Sequence, residues 1–197
     1  MQKEQYEWLH SWCDDTGKDD LPRVLLIGDS ITNAYQEIVR KLLAGKCYVD
    51  YFATSYAADM PIFHTLVDAY AGDSKYDVIH FNNGLHGGHM TPEVYETCME
   101  LITAKLCKIA KVILVESTYV YEPGNEKPHA YYSEAVPQRN AALHRIAAKY
   151  DCPINPLHAV SENIPLDCRN GDGTHYLPAG SEILAAKVAE CILAALA

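Results

Sequence analysis

Three residues that together could perform nucleophilic catalysis occur in this chain, namely Ser30, His175 and Asp172. A serine hydroxyl is a poor nucleophile at neutral pH, so it needs a base, a group that orients the base, and donors for the developing oxyanion. His175 can be the base because the pKa of a free imidazole lies near neutrality. Asp172 shortly precedes it, where a carboxylate can accept the second imidazole N–H. These residue types predict acyl-transfer chemistry if the fold brings the three together.

The sequence around Ser30 predicts that it lies between a strand and a helix. Residues 24–27 are consecutive apolar residues, typical of a strand buried on both faces, and Gly28 ends the run. From Ile31 onwards, apolar residues recur at the period of a helix. The free N–H groups and the positive end of the helix dipole would therefore point at any group bound beside Ser30. In an open α/β sheet, this is the edge at which ligands bind.

Each of these positions also has a purely structural interpretation. Ser30 could be only the N-cap of its helix. Asp172 and Gly173 could form a turn from which His175 caps the last helix. A second Gly-Asp-Ser sequence, which ends at Ser74, follows a helical pattern rather than a strand. We therefore predict that Ser74 lies in a turn at the opposite edge of the sheet and has no chemical role.

The sequence Gly-Asp-Ser-Ile at 28–31 and the pair Asp172-x-x-His175 resemble two motifs of the SGNH, or GDSL-type, hydrolase family. The first is similar to the family's nucleophile block, and the second to the block that holds the other two triad members. Both stand in the family's order, and the α/β pattern between them extends the resemblance over nearly the whole chain. The resemblance implies an acyl-enzyme on Ser30, water activated by His175, and a small O-acyl ester as substrate. An acetyl ester of a carbohydrate is the first choice, and thioesterase or lysophospholipase activity is the enzymatic alternative.

The resemblance also implies backbone donors for an oxyanion, and here the sequence departs from the family pattern. The N–H of Ser30 is the first donor, with Asp29 beside it in the nucleophile block. The family's second block supplies a glycine N–H after the second strand, whereas this chain has Ser-Tyr-Ala-Ala at 55–58. Because any backbone N–H can donate, Ala57 or a neighbour would replace the glycine.

The side-chain donor of the oxyanion site has two candidates. The family's third block has the pattern Gly-x-Asn-Asp, and an alignment without gaps places Gly84 on its glycine and His86 on its asparagine. Asn83 precedes them and could reach the same pocket. We rank the two candidates nearly equal, with Asn83 slightly ahead because an amide donates a hydrogen bond at every pH. The structural interpretation of Asn83 is an Asx turn that closes the strand.

Strand and helix patterns alternate along the chain, which predicts a parallel sheet between two layers of helices. We predict a three-layer α/β/α sandwich with a five-stranded, flavodoxin-like parallel sheet, in a single domain over residues 1–197. The segment around Trp8 and Leu9 is predicted to be a short helix before the first strand. The helix that starts at Pro92 is predicted to bury an apolar stripe. Its members are Val94, Cys98, Leu101 or Ile102, and Ile109.

Three loops are predicted to meet at the carboxyl edge of the sheet, at residues 54–59, 85–90 and 117–132. Aromatic rings with polar tips suit the faces and hydroxyls of a sugar, whereas a lipid acyl chain needs a continuous aliphatic trough. Any single one of these rings could equally pack its loop onto the body of the protein. The loops carry few large aliphatic side chains and the following polar rings: Tyr56, His86, His89, Tyr119 and Tyr121.

Composition and charge disfavour several other classes of protein. The formal net charge of −10 argues against a nucleic acid or an anionic membrane as partner. The sequence has no apolar run long enough to span a bilayer, and its first residues lack the apolar core of a signal peptide. Seven cysteines without a Cys-x-x-Cys pair suggest reduced thiols in a cytoplasm.

The sequence predicts neither a metal nor a cofactor. His86 and His89 could share a cation, but no third ligand of fitting spacing stands out. No glycine-rich phosphate loop occurs, which disfavours a nucleotide-binding flavodoxin-like protein. We therefore expect a small-molecule acyl ester as the partner. The alternative from another class is a non-catalytic binding protein that retains the pocket.

Overall fold

A central sheet of six strands is covered by helices on both faces in a computed structural model, which describes residues 2–124 and 127–197. Residues 125 and 126, within the predicted loop 117–132, lie outside the described residues. The strands are β1 (Leu9–Trp12), β2 (Arg23–Gly28), β3 (Tyr48–Thr54), β4 (Val78–Phe81), β5 (Lys111–Val115) and β6 (Ile154–Asn155). The α-helices are α1 (Ser30–Leu42), α2 (Pro61–Asp73), α3 (Pro92–Leu106), α4 (Tyr132–Tyr150), α5 (Leu157–Glu162) and α6 (Pro178–Leu196).

The strand order is β1-β3-β2-β4-β5-β6, and β2 to β6 are parallel. The five parallel strands have the flavodoxin-like order, which confirms the predicted fold class. The prediction of five strands was wrong by one, because Leu9–Trp12 forms an antiparallel edge strand rather than a helix. All four of its residues are exposed, so no apolar periodicity marks it. It is held by pairing with the backbone of β3.

Two apolar cores lie on opposite faces of the sheet. Strand β2 contributes to both, since Val24 and Leu26 face the core under α1 and α6, while Leu25 and Ile27 face the core under α2, α3 and α4. All four side chains are fully buried. Because both faces of the strand are buried, its sequence here is an unbroken apolar run.

The predicted buried stripe of α3 was out of phase by one residue at most positions. Tyr95, Met99, Ile102 and Leu106 are buried, whereas Val94, Leu101 and Ile109 are among the exposed large apolar residues. The helix carries two neighbouring apolar stripes, and periodicity does not say which one faces the core. The stripe with the larger ring of Tyr95 and the thioether of Met99 packs inward, and Ile102 is the only predicted member among the fully buried residues.

The parallel strands bring their carboxyl ends to one edge of the sheet. From this edge, β2 leads into Ser30, β3 into residues 55–60 and β4 into residues 82–91. Helix α6 packs beside α1, which places the turn before α6 next to the first residue of α1. Ser74 follows α2 and lies beside Arg23 at the amino ends of the strands, the opposite edge, as predicted.

No helix in the described part of the chain is both long and apolar enough to span a bilayer.

Candidate active site

Ser30, His175 and Asp172 lie in one chain of hydrogen bonds. The Oγ of Ser30 is 2.8 Å from Nε2 of His175, and Nδ1 of His175 is 2.7 Å from Oδ2 of Asp172. Ser30 is the first residue of α1, and Asp29 is the one residue between it and the end of β2. The N-cap is Asp29, whose buried carboxylate accepts the N–H of Ile31 at 3.0 Å. Ser30 is therefore not the cap of its helix, and its hydroxyl is available to His175.

The turn that carries His175 is fixed by hydrogen bonds of its own. Oδ1 of Asp172 accepts the backbone N–H groups of Thr174 and His175, both at 2.9 Å. Gly173 has a φ of +81°, and a Cβ there would lie 2.2 Å from the carbonyl oxygen of Tyr121. The turn therefore requires glycine at this position, both for its backbone conformation and for its contact with the 117–132 loop.

The carboxyl group of Asp172 is held in its charged form. Partial burial alone would raise its pKa, but the hydrogen bonds from His175 and from the Thr174 N–H lower the pKa below its ordinary value. Asp172 therefore stays a carboxylate at neutral pH. It accepts a hydrogen bond from His175, and the proton remains on the imidazole. A carboxylate in this state fixes the tautomer of the imidazole, with the proton on Nδ1 and the lone pair of Nε2 facing Ser30.

The two backbone N–H groups that were predicted as oxyanion donors are free to donate. Within the described residues, neither the N–H of Ser30 nor that of Ala57 has a hydrogen-bond acceptor. Ala57 is buried and begins the turn in which the Met60 N–H donates to its carbonyl at 3.0 Å. Alanine can stand where the family has glycine, because only the backbone N–H is needed as a donor.

Asn83 connects two of the predicted loops. Its Nδ2 donates to the carbonyl of Tyr56 at 2.9 Å, which ties the end of β4 to the residue before Ala57. The Asn83 side chain is fully buried, and its Oδ1 has no partner among the described residues. Gly84 is also fixed by packing, since a Cβ there would lie 1.6 Å from Oγ of Ser117.

His86 faces the N-terminal segment of the chain. Its Nδ1 is 2.7 Å from Oε1 of Glu4, and the edge of its ring meets Trp8. Burial would lower the pKa of His86, but the hydrogen bond to Glu4 and the nearby carboxylates of Asp29, Glu4 and Glu7 raise it above its ordinary value. The same hydrogen bond lowers the pKa of Glu4. His86 is half-buried, its surroundings favour the protonated ring, and its Nε2 has no hydrogen-bond partner among the described residues.

The other predicted site residues have different partners. His89 pairs with Asp59 at 2.8 Å, so His86 and His89 face separate carboxylates. Among the described residues, no cluster of three or more His, Cys, Asp or Glu side chains could hold a metal ion. Tyr119 and Tyr121 pack on one another with ring centroids 4.6 Å apart, and Arg169 lies 3.8 Å from the ring centroid of Tyr121. The contacts of these two tyrosines therefore fit a role in packing the loop onto the body of the protein.

Three residues that contact the site loops were missed in the sequence. Glu4 lies in the N-terminal segment, for which the sequence predicted no role at the site, and it contacts His86. Tyr132 donates to the carbonyl of Leu85 at 3.2 Å, and Arg139 is buried beneath the same loop. The position of Arg139 carried a signal, since a charged residue among the buried, mostly apolar residues of α4 is unusual.

Neither protein-family models nor curated protein sequences give a match to this chain. Among solved structures, an acetyl xylan esterase variant from Geobacillus stearothermophilus is similar with a TM-score of 0.69 and 17% identity, over 86% of this chain and 93% of that one. The fold is that of the SGNH hydrolases. The predicted resemblance is thus confirmed at the level of the fold.

Two further SGNH-type structures are similar to this chain in fold. A putative GDSL-like lipase from Parabacteroides merdae has a TM-score of 0.67 and 15% identity, over 86% of this chain and 94% of that one. The C-terminal catalytic domain of a peptidoglycan O-acetyltransferase from Streptococcus pneumoniae has a TM-score of 0.68 and 20% identity, over 89% of this chain and 95% of that one. At these identities the SGNH likeness concerns the fold, and residue roles rest on the geometry of this chain.

Proposed function

We propose that the protein is a serine esterase that hydrolyses small O-acyl esters through an acyl-enzyme on Ser30. The observation that carries this proposal is the hydrogen-bonded chain from Ser30 through His175 to Asp172 at the positive end of α1. The SGNH fold and its esterase neighbours support it. Hydrolysis of p-nitrophenyl acetate by the pure protein is the first test, because a binding protein with the same pocket would not turn it over.

The reaction follows from the positions of the three side chains. As Oγ of Ser30 attacks the ester carbonyl carbon, Nε2 of His175 takes its proton, and Asp172 stabilises the resulting imidazolium. The imidazolium then gives this proton to the leaving alcohol oxygen, which leaves an acyl group on Ser30. Water, deprotonated by His175, attacks the acyl group, and the proton returns to Ser30 as the acid is released.

The oxyanion of the tetrahedral intermediate would be bound by three donors. The N–H groups of Ser30 and Ala57 are two of them, because both are free of acceptors in the described structure. We assign the third to Nε2–H of His86, since Glu4 occupies its Nδ1 and raises the pKa of the ring, which favours a proton on Nε2. Asn83 has an indirect role. Its amide donates to the Tyr56 carbonyl and so holds the loop that carries Ala57 in place.

We expect kcat to fall as the pH rises through the raised pKa of His86. Glu4 holds the remaining proton on Nδ1, so the Nε2–H donor is lost when the ring becomes neutral. His86→Gln should remove the alkaline fall and lower kcat by about a hundredfold, as for the loss of one oxyanion donor.

Glu4→Gln is the matched control for this pH profile. Without the carboxylate, the pKa of His86 falls, so the alkaline loss of kcat should move to lower pH. An alkaline loss of kcat that is unchanged in both variants would contradict the role of His86.

The substrate is proposed to be an acetyl ester of a carbohydrate. Beside the 85–90 loop lies a surface cavity of about 530 Å³. Its lining combines the small apolar groups of Met90, Pro92 and two alanines with the polar groups of Tyr131, Glu134 and Gln138. A ring with a polar tip next to a carboxylate and an amide suits a hydroxyl-rich ligand, whereas a long acyl chain needs an aliphatic trough. Two of the structural neighbours are described as an acetyl xylan esterase and a peptidoglycan O-acetyltransferase, which favours the same class.

Acetyl esters are therefore expected to be hydrolysed much faster than octanoyl or longer esters. The measurement is kcat/KM for p-nitrophenyl esters from two to twelve carbons, with an acetylated xylo-oligosaccharide as competitor. The oligosaccharide should inhibit p-nitrophenyl acetate hydrolysis while it is itself deacetylated. A rate that climbs with acyl length would instead favour a lipase-like or thioesterase activity.

A further inference from the structure

Five consecutive peptide carbonyls after β4, in residues 84–88, all accept hydrogen bonds from side chains at the start of α4. Three side chains provide them, and none of the three belongs to the triad. Arg139 donates from Nη1 to Gly84 and His86, both at 2.9 Å, and from Nη2 to Gly87 at 2.8 Å, while Tyr132 donates to Leu85 at 3.2 Å and Tyr131 to Gly88 at 3.1 Å. The whole loop is thereby tied to one helix by its carbonyl groups.

Arg139 is an unusual residue at this position. It is 3% exposed, and among the described residues it has no carboxylate partner within ion-pair distance. Its guanidinium is surrounded by carbonyl oxygens and by the ring of Tyr95, whose centroid is 5.0 Å away. Burying a charge in this way costs free energy that an apolar residue on the same stripe of α4 would not cost. We therefore explain the buried Arg139 by its hold on the 84–88 loop rather than by a gain in the free energy of unfolding.

The loop that Arg139 holds contacts both proposed donors outside α1. It carries His86 itself. Gly87, with a φ of +73°, lies so close to Ala57 that a Cβ at Gly87 would be 2.8 Å from the Cβ of Ala57. A shift of this loop would therefore move the His86 ring and the Ala57 N–H together.

We propose that Arg139, assisted by Tyr132, is a positioning residue for the oxyanion site. This inference rests on the proposed function. Arg139 draws the carbonyls of Gly84, His86 and Gly87 toward α4, which keeps these acceptors away from the developing negative charge and holds the His86 donor in place. Pre-set donors of this kind require no reorganisation when the charge develops.

The test compares Arg139→Lys with Arg23→Lys. Lysine keeps the charge but cannot bridge three carbonyls as a guanidinium does. Arg23 is a matched control, since it is 7% exposed and its guanidinium also donates to backbone carbonyls, those of Asp14, Asp15 and Lys18, at the opposite edge of the sheet. The measurements are Tm, kcat and KM for p-nitrophenyl acetate, and the rate at which a fluorophosphonate labels Ser30.

We expect both variants to lose Tm, and only Arg139→Lys to lose kcat and labelling rate, by about tenfold or more at nearly unchanged KM. The loss should shrink when His86→Gln is already present, because the two residues serve the same donor. Tyr132→Phe, which removes one phenolic hydroxyl, should show a smaller loss of the same kind and serves if Arg139→Lys does not fold.

Two results would overturn the inference. One is an unchanged kcat per folded molecule in Arg139→Lys, or in Tyr132→Phe if that variant has to be used. The other is an equal loss of kcat in Arg23→Lys. In either case, wild-type protein that is labelled on Ser30 leaves the proposed function standing. A wild-type protein that neither hydrolyses esters nor is labelled would contradict the proposed function, and this inference with it.

Discussion

Replacing Ser30 with alanine is expected to lower the rate of ester hydrolysis by at least about 10⁴-fold while the fold stays intact. The hydroxyl is the only atom lost, and no other residue can form the acyl-enzyme in its place. Stability should change little, because Asp29 rather than Ser30 caps α1 with its side chain. The measurements are kcat for p-nitrophenyl acetate and thermal unfolding of the same preparation.

Ser74→Ala is the matched control for this result. It changes the same residue type in the same Gly-Asp-Ser context, but at the opposite edge of the sheet. It should leave kcat unchanged. Wild-type activity in Ser30→Ala would show that another group is the nucleophile.

Replacing His175 with alanine should cost about as much as replacing Ser30, and the double variant should cost hardly more, because the two residues act as one unit. Asp172→Asn is expected to cost less than His175→Ala, although still about 10⁴-fold. Asparagine keeps an oxygen that can accept the N–H groups of Thr174 and His175, so the turn survives while the charge that fixes the imidazole tautomer is lost. The measurement is kcat for each variant at its own optimal pH.

The comparison separates a chemical role of the 172–175 turn from a structural one. If the turn only caps α6, His175→Ala and Asp172→Asn should both show small losses that follow their losses of Tm. Large losses of kcat at unchanged Tm are expected instead.

The sheet could be predicted from the sequence wherever burial leaves a pattern. Strand β2 is apolar at every core position because both of its faces are covered, and the alternation of strands and helices sets the parallel order. The edge strand at Leu9–Trp12 could not be predicted, because all its side chains are exposed and its pairing is made by the backbone. The phase of α3 was also beyond the sequence, since Val94 and Tyr95 begin two equally apolar stripes.

The part of the site that could be predicted consists of residues that lie close together in short sequence motifs. Ser30 follows a strand and starts a helix, and Asp172 and His175 lie in one turn, so short motifs record them. Arg139 and Glu4 act on the 84–88 loop from distant parts of the chain, and each contacts it through a tertiary fold that no local pattern encodes. A buried charge on α4 marks Arg139 as unusual in the sequence, but the contacts that these two residues make with the loop are visible only in the folded structure.

Labelling with a fluorophosphonate, followed by peptide mass spectrometry, is the most direct test of Ser30 as the nucleophile. The reagent forms a covalent bond with a serine only where a base and oxyanion donors activate the hydroxyl. We expect one adduct, on Ser30, that is absent from His175→Ala and blocked by an acetylated oligosaccharide. An adduct on Ser74 or on another residue, or an unlabelled protein that is correctly folded, would contradict it.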